Sequence, residues 1–299
     1  MMRGFPIVLL LLLVLPACGQ TPSEFRPLTA ALGDLRRVAL GFEGLLPLGE
    51  GEGTYSAFLS LDDGDIVGLG GFNVNDSGRP IDGQGNVIDR FTADRNLFSS
   101  VSLVVSVEQG AIGSSPSQAT ILQGPFINGI ASLSVPSPLF ISDASGSYRV
   151  FTPTDGPSTN EGSGAWAVSV AGEATLTLPP LNNLYLYEHF MVINGMPITM
   201  GRFSTAGVAD FANPWSGPLE APAFPGEDFL ANAPQGFTFP ADLSGAQLLV
   251  TLEPILNDTV LPFQLVILQG TLPAAIAGGE IIELTNRSAN FPTGTAIIF

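Results

Sequence analysis

The stretch that decides the fold is YEHFMVI-NG-MPITMGRF, residues 187–203. Residues 187–193 form a run of strand length rich in aromatic and apolar side chains, and residues 196–203 form a second such run. Asn194-Gly195 between them is the strongest short sequence signal for a two-residue hairpin turn. The stretch therefore predicts an antiparallel pair of strands.

A copy of this pattern lies earlier in the chain, where residues 55–61 and 66–72 flank the turn-forming residues 62–65 (DDGD). Two later pairs of segments match in the same order: LVVSVE at 103–108 with LLVTLE at 248–253, and ILQG at 121–124 with ILQG at 267–270. Matches in one order, with small slips in spacing, indicate a tandem duplication.

The composition supports an all-β protein. The 299 residues include 35 Gly and 25 Pro, yet 45% of residues are hydrophobic, which is enough apolar material for a packed core. Short apolar runs separated by Gly, Pro, Asn and Asp predict strands joined by turns. We predict two tandem β-sandwich (Ig-like) domains, residues 37–140 and 141–299. Helical spacing of apolar residues over 28–40 leaves a short helix there as an alternative.

The second copy is the longer one because it contains an inserted loop, residues 213–240. This loop is rich in Pro and Gly and carries aromatic residues. Long loops are uncommon and often functional. The insertion is either a binding loop for an envelope protein or glycan, or a cover for one edge of the sandwich. The partner-binding residues predicted on the first interpretation are Trp215, Phe224, Phe229, Phe237 and Phe239.

The N-terminus carries Arg3, an apolar run over residues 5–15, and then Leu15-Pro16-Ala17-Cys18. This is the charged-then-apolar order of a secretory signal, and the run is too short to span a bilayer. The segment Leu15-Pro16-Ala17-Cys18 resembles the lipobox of bacterial lipoproteins. The resemblance implies a signal peptide over 1–17, lipidation of Cys18, and an anchor and spacer over 18–36. We therefore expect an exported protein, lipid-anchored at the cell envelope on the outer membrane, its periplasmic face or the cell surface.

The charge balance excludes one class of partner. The formal net charge is −17, and all ten basic residues are arginines. Nucleic acids and polyanionic surfaces are bound by clustered Lys and Arg, so no nucleic-acid partner is expected. Cys18 is the only cysteine, so neither a disulfide framework nor a thiolate metal site is expected.

The sequence predicts no catalytic residue, metal site or cofactor. His189 is the only histidine and has no second His or Cys for a metal set, so we interpret it as a strand residue. Residues 62–65 and 73–78 contain the oxygen ligands that calcium prefers, but turn formation explains both stretches. Glu108 and Glu253 occupy matching positions in the two copies. Accepting hydrogen bonds from turn N–H groups is the favoured role for them; paired carboxylates of an envelope polysaccharide hydrolase are the alternative.

Three segments of the second copy resemble a known family: YRVFTPTDG at 148–156, YEHFMVINGMPITMGRF at 187–203 and LVTLEP at 249–254. They are similar to the extracytoplasmic domain of anti-sigma-K-factor-like proteins. The resemblance implies a β-sandwich module outside the cytoplasm, used for binding or sensing. Members of that family carry a sigma-binding segment and a transmembrane helix where this chain has a lipobox, so sigma-factor binding is not implied. We expect a non-enzymatic binding or sensory module; a structural surface spacer is a further alternative.

Overall fold

The predicted hairpin at residues 187–203 is present in the computed structural model of the protein. Strands Tyr185–Ile193 and Met196–Phe203 pair antiparallel, and Ile193 lies opposite Met196 across the Asn194-Gly195 turn. Both turn residues have positive φ, 52° and 81°, as a tight hairpin turn of this kind requires. The turn chemistry therefore fixes the register that the sequence predicts.

The structure describes residues 35–116, 119–136, 141–257 and 259–299. Within them the strands are β1 (Arg37–Glu43), β2 (Thr54–Leu61), β3 (Ile66–Val74), β4 (Pro80–Ile81), β5 (Phe91–Thr92), β6 (Ser100–Glu108), β7 (Thr120–Ile127), β8 (Ile130–Ser134), β9 (Ser145–Val150), β10 (Gly164–Trp166), β11 (Leu176–Thr177), β12 (Tyr185–Ile193), β13 (Met196–Phe203), β14 (Gly226–Asp228), β15 (Gln247–Pro254), β16 (Val266–Thr271), β17 (Ile281–Glu283), β18 (Thr285–Asn286) and β19 (Thr293–Ile298). Three short 3-10 turns accompany them, Ile141–Asp143, Pro153–Asp155 and Ser288–Asn290. No helix in these ranges is long and apolar enough to cross a membrane.

The first half is built on one antiparallel sheet of nine strands, in the order β4-β3-β2-β6-β7-β8-β19-β1-β5. The sheet curls so that its two ends meet. The ring of Phe42 on β1 stacks on the ring of Phe72 on β3 with 5.6 Å between centroids, and Phe91 on β5 packs edge-on against Phe72 at 5.5 Å. This curl encloses a core that is stabilised by the burial of apolar side chains such as Tyr55, Leu59, Leu103 and Val105.

The second half has two five-stranded sheets. One has the order β13-β12-β15-β16-β18, and the other joins β11, β9, β10 and β14, with β17 pairing the free side of β9. Tyr148 of β9 reaches across to His189 of β12, so the two sheets face each other over a shared core. Trp166 on β10 is fully buried in this half.

The same four-strand pairing recurs in both halves. The order β3-β2-β6-β7 is matched by β13-β12-β15-β16, and Tyr55 lies opposite Phe72 as Tyr187 lies opposite Phe203. Each hairpin also carries an irregularity two residues after its tyrosine, following Ala57 in one copy and His189 in the other. The segment matches found in the sequence thus fall on equivalent strands.

The prediction of an all-β chain is confirmed. The finer prediction is two tandem sandwiches divided at residue 140. One strand crosses that boundary: β19, from the second half of the chain, pairs with β8 and β1 of the first half and places Ala296 opposite both Ala131 and Leu40. Residues Leu35–Phe299 accordingly form one compact unit. The helical alternative over 28–40 is wrong where the structure describes it, because Val38 and Leu40 point into the core from a strand.

Candidate functional site

His189, the only histidine, lies fully buried in β12 between two polar partners. Its Nδ1 is 2.9 Å from the Tyr148 hydroxyl, and its Nε2 is 3.0 Å from Oδ2 of Asp210. The same Asp210 oxygen accepts the backbone N–H of Gly226 at 3.0 Å. Burial raises the pKa of Tyr148 well above its ordinary value, and the Asp210 carboxylate raises it further. This chain of hydrogen bonds links the two sheets of the second half to the insertion at Gly226, and its side chains are buried.

Asp228 of β14 is the second buried polar centre. Its Oδ2 accepts the backbone N–H and the hydroxyl of Thr154, at 2.9 and 2.6 Å, and its Oδ1 accepts the indole N–H of Trp166 at 2.7 Å. Desolvation raises the pKa of this carboxyl, while the hydrogen bonds from Thr154 and Trp166 oppose the shift. Asp228 therefore fastens the insertion to β10 and to the 3-10 turn Pro153–Asp155.

Glu227 beside it is also fully buried. Its carboxyl accepts hydrogen bonds from the Ser216 hydroxyl and from the backbone N–H of Trp215, the latter at 3.3 Å. Burial raises the pKa of Glu227 to about 8, despite the lowering effect of these hydrogen bonds. The group is therefore largely protonated at neutral pH, which removes the cost of a buried charge.

The burial of Glu227 predicts that the stability of the folded protein falls as pH rises. The folded-state pKa of Glu227 lies above its unfolded value, so the folded protein binds the extra proton. The resulting stabilisation is fully present below the ordinary pKa of 4.5 and is lost as pH rises through about 8. We expect Tm at pH 9 to lie at least about 5 °C below Tm at pH 5. Thermal melts of the wild type and of Glu227→Gln check this, because the variant should show a clearly flatter profile; identical profiles would contradict it.

The insertion, residues 213–240, packs inward. Phe229 is fully buried and therefore does not belong to a binding surface, contrary to the sequence expectation. Trp215 donates its indole N–H to the carbonyl of Thr199 at 2.8 Å, and its ring packs edge-on against Phe239 at 6.2 Å. Phe224 and Phe237 are half-buried. These contacts favour the cover interpretation over the binding interpretation of the insertion.

Glu108 and Glu253 end equivalent strands, as the duplication predicts. Each is buried, and each accepts a hydroxyl hydrogen bond from the residue two positions earlier, Ser106 at 2.5 Å and Thr251 at 2.6 Å. Glu253 also accepts the backbone N–H of Phe263 at 2.9 Å. The predicted role of accepting a turn N–H is confirmed for Glu253, and the two acids lie in different sheets.

A surface that the sequence interpretation missed lies in the connection between β15 and β16. Residues 255–257 and 259–261 display four large apolar side chains with exposed fractions of 39 to 78%: Ile255, Leu256, Val260 and Leu261. We call these two segments together the apolar loop. Large aliphatic side chains clustered in the open cost free energy in water, and such patches mark interaction sites. A sequence signal was available, since ILNDTVLP combines these residues with Asn, Asp and Pro in a segment too irregular for a strand.

The base of the apolar loop is rigidly held. Glu253 binds both sides of it, accepting the Asn257 side-chain amide at 2.9 Å on one oxygen and the Phe263 N–H on the other. The Asn257 carbonyl accepts a hydrogen bond from Arg202, whose Nε also donates to Glu188 at 2.8 Å. Burial raises the pKa of Glu253 to about 7. A loop with its base fixed in this way loses little conformational entropy on binding.

The two stretches considered for calcium use their oxygens locally. Oδ1 of Asn75 accepts three hydrogen bonds, from the Ser77 N–H and hydroxyl and from the Arg79 N–H. Asp63 and Asp65 face the guanidinium of Arg95 at 3.8 and 2.7 Å. Among the described residues no group of three or more His, Cys, Asp or Glu side chains is arranged to hold a metal ion.

Cys18, the predicted lipidation site, lies outside the described residues, as do the signal peptide over 1–17 and most of the spacer over 18–36. Comparison of the chain with protein-family models, with curated proteins and with solved structures gives no match. The site is therefore interpreted from its own geometry.

Proposed function

We propose that the protein is a non-enzymatic binding module of the cell envelope, exported and held there by lipid on Cys18, and that it engages a protein partner through the apolar loop. The observation that carries the proposal is the display of Ile255, Leu256, Val260 and Leu261 on a base fixed by Glu253. Exposed aliphatic residues on a preorganised base are the arrangement that a protein interface uses at its centre.

The polar groups most suited to chemistry support the same proposal. His189 and Asp210 are bonded to each other and closed off from solvent. Glu108 accepts the Ser106 hydroxyl of its own strand, and Glu253 accepts the Phe263 N–H; both acids are buried. A glycoside hydrolase needs two carboxyl groups about 5–10 Å apart on either side of a substrate. These acids are buried and form hydrogen bonds within the fold, so a binding function is the better proposal.

The resemblance to anti-sigma-K-type outer domains is consistent with this role. The resemblance implies a sensory or binding module outside the cytoplasm, with the lipobox in place of the transmembrane segment. Under this proposal the partner is an envelope protein, because Ile255, Leu256 and Leu261 offer aliphatic surface and none of the aromatic platforms on which sugars stack.

The test is partner capture with a loop variant. Leu256→Ser/Val260→Ser removes two exposed side chains that are 51 and 78% accessible, so the fold should be preserved. A matched control, Val170→Ser/Val208→Ser, removes side chains that are 77 and 50% accessible elsewhere on the surface. After cross-linking in intact cells, we expect an envelope protein bound to the wild type and to the control but reduced at least about tenfold on the loop variant.

An equal yield on all three proteins would contradict a role for the loop. Conversion of envelope polysaccharide by the purified protein, lost on replacing Glu253 or Glu108 by Gln, would contradict the non-enzymatic assignment. Labelling of Cys18 by a palmitate analogue in cells, absent from Cys18→Ser, tests the anchor separately.

A further inference from the structure

A second exposed apolar patch lies on the outer face of the nine-stranded sheet, where β7 ends, β8 begins and β19 approaches its end. Ile127 of β7 pairs with Ile130 of β8, and Ile130 pairs with Ile297 of β19. Residues directly opposite on neighbouring strands share a face, so the three side chains form a row across the sheet. Their exposed fractions are 69, 50 and 42%. Phe299, two residues beyond Ile297, extends the row and is 42% exposed.

Arginines border this patch on one side. Arg37 and Phe299 exchange both backbone hydrogen bonds, at 3.2 and 3.0 Å, so their side chains lie together. Arg90 holds its guanidinium 5.8 Å from the centre of the Phe299 ring. Two of the ten basic residues of a chain with net charge −17, Arg37 and Arg90, thus lie beside its apolar row.

The chain that leads to the predicted anchor enters the described unit beside this patch. The unit begins at Leu35, and β1 starts at Arg37 beside Phe299. Cys18 lies 17 residues before Leu35, a connection that spans at most about 60 Å when fully extended. A lipid at Cys18 would therefore hold this end of the protein within reach of the bilayer.

From these three observations we infer that the row Ile127, Ile130, Ile297 and Phe299 lies against the surface of a phospholipid bilayer. Aliphatic and aromatic side chains insert at the boundary between headgroups and acyl chains, and adjacent arginines pair with lipid phosphates. Two arginines are too few for a polybasic site, so the apolar row supplies most of the contact. The contact orients the module on the membrane. The inference rests in part on the proposed lipid anchoring, which supplies the third observation, but the patch itself can be tested without lipid on Cys18.

The test uses the processed chain from residue 18 with Cys18→Ser, which carries no lipid, and vesicles of phosphatidylcholine with phosphatidylglycerol. Co-sedimentation over a series of lipid concentrations gives the partition coefficient. We expect Ile127→Ser/Ile130→Ser/Ile297→Ser to lower it at least about tenfold. The matched control Val170→Ser/Val208→Ser/Leu219→Ser removes equally exposed side chains elsewhere and should leave it unchanged. Circular dichroism melts establish that each variant is folded.

Equal partitioning of all three folded proteins, or no binding of the wild type at any lipid concentration, would overturn the inference. Self-association of the wild type that the patch variant loses, without vesicle binding, would also overturn it and would assign the row to a second copy of the chain. Because the protein tested has no lipid, failure here is distinguishable from failure of Cys18 labelling or of partner capture at the apolar loop.

Discussion

Replacing Asp228 by Ala is expected to lower the free energy of unfolding by about 4 kcal/mol. The carboxyl group accepts three hydrogen bonds from Thr154 and Trp166, all of them buried. The alanine leaves these donors without a partner and without access to water, and each such group costs about 1–3 kcal/mol. In a unit of this size the loss corresponds to a fall in Tm of roughly 10 °C.

Two controls make the measurement specific. Glu220→Ala removes an exposed acid from the same insertion and should change Tm by less than about 2 °C. Asp228→Asn keeps the size of the side chain but turns an amide N–H₂ toward an N–H or O–H donor. The Tm of this variant should therefore lie between those of the wild type and the alanine variant. A Tm for Asp228→Ala close to that of the wild type would show that the insertion is not fastened through this residue.

Replacing Glu253 by Ala is expected to affect both stability and binding. The alanine removes the carboxyl group that accepts hydrogen bonds from the Phe263 N–H, the Thr251 hydroxyl and the Asn257 amide. We expect the free energy of unfolding to fall by about 3 kcal/mol. Because the same residue holds the base of the apolar loop, this loop should become susceptible to limited proteolysis, and partner capture should fall with the loss of preorganisation.

Glu253→Gln is the discriminating control. The Asn257 Oδ1 has no hydrogen-bond partner, so a flipped Asn257 amide can accept a hydrogen bond from the glutamine N–H₂. We therefore expect the glutamine variant to keep the loop protected and most of the stability. If the alanine variant shows no new cleavage in the loop, or if both variants are equally damaged, the role of Glu253 as the clamp of the apolar loop is wrong.

Local signals made much of the fold predictable from the sequence. Asn194-Gly195 determines its hairpin because both residues adopt positive φ readily, and the register of β12 with β13 follows. The repeated tyrosine and phenylalanine of each hairpin pair as the duplication predicts, Tyr55 with Phe72 and Tyr187 with Phe203. These features depend on neighbours within about 20 residues, which is the range that sequence patterns describe.

Long-range pairing was beyond such patterns. Residue 298 pairs with residue 38, and nothing in either strand specifies a partner so distant in sequence. The direction of the insertion's aromatics was equally hidden, since the burial of Phe229 depends on packing with residues that the local sequence does not specify. The apolar loop was missed because the exposure of aliphatic side chains depends on the surrounding fold; β15 ends at Pro254, and Pro262 has no N–H to donate to a strand ladder.

Photo-cross-linking from within the apolar loop determines whether this loop is the partner-binding surface. A photoreactive amino acid at Leu256 should form a covalent adduct with one envelope protein in intact cells, whereas the same amino acid at Val170 should not. Adduct formation at Leu256 that Val260→Ser weakens is the predicted result. Absence of an adduct at Leu256 and at Val260, in protein shown to be folded and exported, would contradict the claim.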